Sequence, residues 1–239
     1  MRLMLHRCFQ PLGHYDHRVI EEVLVALAVG LMIAAISALL VRPTLQRLPE
    51  PADGYGKPVY RDLASIGFIV VCGALAGLGM TLSWLTVSRN AQPMWLVLAI
   101  LGVLLAAIDA RTSWLPLRLT RIAWLAMAIA ALLSTLLNGG AWIAGQAAAG
   151  ATIAGALYLF VWLISRGGFG FGDVRFAPLL GAAAAADSWT LLWLALLLGT
   201  VVGGLIGLLR LAQGRRGAFP YAPSMLIGTY AACIVHVIA

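Results

Sequence analysis

Apolar residues run along this chain in long blocks, not in the stripe of a surface helix or the alternation of a half-buried strand. Uncharged stretches occupy residues 23–41, 63–88, 91–108, 122–137, 141–164, 176–186, 188–209 and 218–239. A helix that crosses hydrocarbon needs about 20 mostly apolar residues, and most of these blocks approach or exceed that length. Asn138-Gly139-Gly140 interrupts an otherwise uncharged run, and Asn-Gly favours a turn, so two helices are expected there. The sixth block is short. Extended back to Asp173 it reaches 14 residues, about 21 Å of helix at 1.5 Å per residue, which predicts a short, tilted or re-entrant segment. The pattern predicts an all-α, polytopic transmembrane bundle of seven to eight helices. Residues 1–62 read as an N-terminal segment, a first helix and a short polar linker, and residues 63–239 as the membrane core. The first helix follows Glu21-Glu22 and reads as retained, not as a cleaved signal peptide.

Composition supports that class. Of 239 residues, 62% are apolar and only 10% are charged, where a soluble domain carries about 25% charged residues. A soluble enzyme, a coiled coil, a disulfide scaffold and a disordered chain are all disfavoured. The three cysteines, Cys8, Cys72 and Cys233, form no CxxC pair, and residues 18–235 contain no histidine. A metal site or a Ser-His unit in the membrane body is therefore not expected, and no cofactor is implied. The net charge of +7 reads as cationic loops facing the cytoplasm, with no nucleic-acid partner.

The basic residues also predict orientation. Arg42, Arg47, Lys57, Arg61, Arg111, Arg118, Arg121, Arg166, Arg175, Arg210, Arg215 and Arg216 fall in odd-numbered loops. Arg2, Arg7, Arg18 and Arg89 fall on the other side. This bias places the odd loops in the cytoplasm and both termini outside, with the sixth block crossing. Small residues recur at four-residue spacing, at Gly199, Gly203 and Gly207 and at Gly73 and Gly77. Such faces let helix backbones approach closely. Packing within the chain is the first expectation for Gly199, Gly203 and Gly207, and a homodimer contact the second.

Acids carry the chemical signal. Of nine, six lie at or before residue 62, leaving Asp109, Asp173 and Asp187. Carboxylates near hydrocarbon are costly and usually functional. Asp109 closes the third block and Asp173 opens the sixth, so both fall on the cytoplasmic face in the charge-derived topology. Asp187 falls on the opposite face, where it reads as the N-cap of the seventh helix. Two neighbouring carboxylates resist double ionisation and tend to share a proton. One can then take a proton from water while the other donates to a carbonyl oxygen, which is peptide hydrolysis without metal or covalent intermediate. Gly167, Gly168, Gly170 and Gly172 precede Asp173, and glycine permits close backbone approach. Asp109 alone would equally suit an ion pair with Arg111 or Arg121 at a helix end.

The two segments together resemble the type IV prepilin peptidases, membrane aspartic proteases of the GxGD type. Asp109, Thr112, Leu115, Pro116, Leu119 and Thr120 match the first motif of that family. Gly170, Gly172, Asp173, Val174, Arg175 and Gly181 match the second, and Phe219–Pro223 (FPYAP) is similar to a late element. The resemblance covers about residues 91–239. It implies Asp109 and Asp173 as the catalytic pair, with Gly170, Phe171, Gly172, Thr112 and Pro116 shaping the substrate site. It implies a prepilin or pseudopilin leader as substrate and a bacterial cell membrane, with its lipid, as the setting. Leu117 and Arg175 depart from the commoner residues of those motifs. The cysteine-bearing domain associated with N-methylation has no counterpart in the linker at 42–62, so methyltransferase activity is not expected. A proton-coupled transporter using buried acids, and a non-catalytic pilus or secretion scaffold, are the competing readings.

Overall fold

The computed structural model describes residues 17–49, 59–138, 140, 142–165, 170–214 and 219–238. Residues 1–16, most of the polar linker, Gly167 and Gly168 lie outside them. Among the described residues the chain is all-helical, in eight rods. These are α1 (His17–Arg47), α2 (Ile66–Thr86), α3 (Arg89–Thr112), α4 (Leu117–Asn138), α5 (Trp142–Ser165), α6 (Phe171–Asp187), α7 (Trp189–Ala212) and α8 (Ala222–Ile238). Six of them, α1 to α5 and α7, are long and apolar enough to cross a membrane. The chain is a multi-pass membrane protein.

Helix ends follow local chemistry. Ser65 caps α2 by accepting the Phe68 N–H at 3.3 Å. The Gln92 amide, buried at the start of α3, donates to the carbonyls of Ser83 and Val87 at the end of α2. In α3 the hydrogen-bond register widens to a π turn over Leu98–Gly102. The first helix is longer than its uncharged block and runs through Pro43 to Arg47, so part of the expected linker is helical.

Asp187 does not cap α7. It is the last residue of α6, still helical, while Ser188 takes the extended backbone of a cap and accepts the Leu191 N–H at 3.1 Å. The Asp187 carboxylate instead accepts the Ser88 N–H at 2.7 Å, and His236 Nε2 lies 3.8 Å from its other oxygen. The α2–α3 junction, the end of α6 and the end of α8 are thereby held together.

The shortest block becomes the centre of the bundle. Residues 179–186 of α6 are buried at every position, and α3, α4, α5, α7 and α8 all pack on that helix. Its alanines and Gly181 leave room for this. A methyl group on Gly181 would collide with the Gly150 carbonyl of α5, and one on Gly150 with Gly181. Trp95 of α3, fully buried, donates its indole N–H to the Ala183 carbonyl at 3.0 Å. Gly73 and Gly77 pack on Ala34 and Gly30 of α1, and Gly199 and Gly203 on α8 and Tyr221 just before it, with Phe219 against Gly207. A second copy using Gly199 and Gly203 would have to displace those groups.

Candidate active site

Three helix ends converge at one end of the bundle. Asp109 sits one turn before the end of α3, Asp173 in the first turn of α6, and Ala222 opens α8. Both carboxylates are buried, 4% and 5% exposed. The Ala222 N–H donates to Asp109 Oδ2 at 3.2 Å, and the same amide is near enough to Asp173 to favour its charged form. The two acids, 64 positions apart in sequence, are close enough for their charges to interact directly. First-turn amides of a helix have no partner within it and carry the positive end of the helix dipole. This amide therefore favours negative charge on the carboxylate it bonds. Asp173 Oδ1 is buried and accepts no hydrogen bond from the described residues.

The backbone around Asp109 is set by a tight turn. Ser113 takes the left-handed conformation, φ 53°, and returns its N–H to the Asp109 carbonyl at 2.7 Å. The Thr112 hydroxyl lies 2.9 Å from the Ile108 carbonyl and accepts the Trp114 N–H at 3.2 Å. Pro116 ends the turn, its carbonyl taking the N–H and hydroxyl of Thr120 and so starting α4. Thr112 and Pro116 thus shape the chain around Asp109 through backbone contacts.

A side chain in place of glycine would crowd its neighbours at two positions around Asp173. A Cβ on Gly170 would stand 3.0 Å from Asp173 Oδ2, and one on Gly172 would stand 3.1 Å from a Leu115 methyl. The second contact interlocks the two motifs, because Leu115 belongs to the turn after Asp109. Phe171 points outward, its ring 5.1 Å from that of Trp162, with the Arg175 guanidinium 4.6 Å over its face. Arg175 is accordingly turned toward Phe171.

Two tyrosines complete the surroundings. Tyr158 of α5, 3% exposed, and Tyr221 lie within electrostatic reach of Asp173, and the Thr200 hydroxyl of α7 bonds to both. The sequence reading assigned them no role. The available signal was a phenol inside an apolar block and another inside FPYAP. A buried pair of carboxyls beside one helix N-terminus can hold a single proton and exchange it with water or a carbonyl group. That is the equipment of general acid–base hydrolysis.

Residues 96–208 match the family model described as the type IV leader peptidase family. The match begins inside α3, ends inside α7 and spans both aspartates and their flanking motifs. The match agrees with the resemblance carried by its motifs. What the segment resembles is a leader-peptidase-like protease, here within a multi-pass helical bundle. No curated protein and no solved structure matches the chain significantly.

Proposed function

We propose that the chain is an integral-membrane aspartic endopeptidase that removes the leader of type IV prepilins or pseudopilins at the cytoplasmic face of a bacterial cell membrane. The observation that carries this reading is the meeting of Asp109 and Asp173 at the Ala222 amide. In the proposed reaction the ionised carboxylate takes a proton from water, and the oxygen attacks the scissile carbonyl. The protonated partner donates its proton to the carbonyl oxygen. The first carboxyl then passes the proton it took from water to the leaving amine as the C–N bond breaks, and the partner recovers its own proton as the intermediate's hydroxyl reverts to a carbonyl. Gly170 keeps a side chain out of the space beside Asp173, where a substrate strand would lie, and Gly172 lets Leu115 of the first motif pack closely. The basic loops at that end of the bundle support the cytoplasmic orientation. Pilus assembly or protein secretion would be the process served, and methyl transfer forms no part of the reading.

The test is co-expression with a prepilin, with leader removal read as a mobility shift on a gel. Asp109→Asn and Asp173→Asn each reduce processing to background while the protein still accumulates in the membrane. Full processing by either variant would overturn the mechanism.

A further inference from the structure

Two apolar grooves open on the flanks of the bundle. One, of about 690 Å³, lies between α2, the second half of α3 and the start of α8. The other, of about 600 Å³, lies between α4, α5 and α6. Size does not separate them, since both fall within the roughly 300–1,000 Å³ of ordinary ligand sites. Their relation to the two carboxyls does. The first groove is walled by Ala106, Ala110 and Arg111, which flank Asp109 on its own helix, and by Pro223, which follows Ala222. On the helix of Asp173 the second groove comes no nearer in sequence than Pro178.

We infer that the first groove receives the apolar helix of the substrate, the part that stays in the bilayer after the leader is cut, and so selects which peptide bond reaches Asp109 and Asp173. The inference rests on the peptidase reading above. A chain cut at the membrane surface and continuing as an apolar helix enters hydrocarbon within a few residues of the cut. It then enters the cleft walled by the sequence neighbours of Asp109 and Ala222. Gly79, Ala106 and Ala110 in that cleft carry little or no side chain, which permits close helix approach. Leu75 on its outer wall is exposed. At the far end the Tyr230 hydroxyl is buried near Gly79 and has no hydrogen-bond partner among the described residues. It lies eight residues along α8 from Ala222, about 12 Å by helix rise. An unsatisfied hydroxyl in hydrocarbon is costly, so a hydrogen-bonding group about two turns past the cut in the occupant would find a partner there.

The experiment uses the full-length chain carrying both Asp109→Asn and Asp173→Asn, so that substrate stays uncut. Leu75→Cys for the first groove, or Ala148→Cys for the second, is paired with single cysteines along the helix of a prepilin, and oxidative cross-links are read on a non-reducing gel. The chain without an introduced cysteine sets the background from native thiols. Cross-links from Leu75→Cys, periodic along the substrate helix and absent from Ala148→Cys, are expected. Cross-links from Ala148→Cys alone, or from neither, overturn the groove assignment. In the catalytically intact chain, Ala107→Trp, which fills the first groove, raises KM for the full-length prepilin about tenfold with kcat nearly unchanged. Ala148→Trp leaves KM unchanged, and equal effects from the two would also refute the assignment. Processing by the unsubstituted chain is scored separately. Processing without Leu75→Cys cross-links removes the groove and leaves the peptidase, whereas no processing of any prepilin removes both.

Discussion

Replacing Gly170 with alanine adds one methyl group to the site and nothing else. The native backbone there, φ −72° and ψ 132°, is open to any residue, so alanine brings no strain. Restricting the unfolded chain should even favour the fold by about 0.4–1 kcal/mol. The new Cβ would stand 3.0 Å from Asp173 Oδ2 and 3.9 Å from its Cγ, with nothing else within 4 Å. Ordinary contact begins near 3.4 Å, so the carboxyl must yield by a few tenths of an ångström. Asp173 is buried and within electrostatic reach of Asp109, and the displacement therefore reaches the acid pair. A misplacement of about 1 Å costs roughly 100-fold in rate. A few tenths should cost about 3- to 10-fold, or about 0.7–1.4 kcal/mol in the barrier. The assay is leader cleavage by purified protein in detergent, with kcat and KM separated, beside a thermal unfolding curve. The expected result is a lower kcat, KM within about twofold and an unchanged or slightly higher Tm. An unchanged kcat, or a Tm that falls with it, would refute the argument that Gly170 serves Asp173 and not the fold.

Cleavage activity should follow a bell-shaped pH profile, because one carboxyl must be charged and the other protonated; a flat kcat/KM from pH 4 to 9 would contradict a shared proton. Ser188→Ala removes the cap of α7 at the end remote from the carboxyls. It should cost about 1 kcal/mol of stability, read by thermal unfolding, with leader cleavage kept within about twofold. Trp95→Ala empties the contact between α3 and α6 and should cost about 3–5 kcal/mol, seen as early unfolding in detergent. A loss below 1 kcal/mol would mean that Trp95 does not anchor α6.

Much of the fold was legible because hydrocarbon imposes a simple rule on sequence. Each helix must be apolar over a set length and close its own backbone hydrogen bonds. Uncharged blocks, Asn138-Gly139 and the late FPYAP therefore mark helices and breaks directly. The end of α6 was misread for a local reason. Asp187 and Ser188 are adjacent and both are good caps, and only backbone conformation decides which one turns out of the helix. Ser188 does, leaving Asp187 to bind the Ser88 amide, 99 positions away.

The candidate site divides the same way. Scarcity exposed Asp109 and Asp173, because few acids persist in the later membrane blocks, and the glycines beside Asp173 were equally visible. Tyr158, Tyr221 and the Ala222 amide were not. An aromatic residue in an apolar block has the same appearance whether it faces lipid or a carboxylate. A backbone N–H has no sequence signature beyond the helix start that frees it.

The sequence by itself determined the class of the molecule, its helices, the two acids and the glycines around them. Each of these follows from a local cost, of charge in hydrocarbon or of a Cβ in a close space. Tertiary structure alone decided that the shortest, most alanine-rich block is the centre of the bundle. It also brought the starts of α6 and α8 to the end of α3, and left a cleft between α2, α3 and α8 walled by neighbours of Asp109. Those are relations between distant segments, set by which small residues let backbones touch, and helical periodicity along one segment does not encode them.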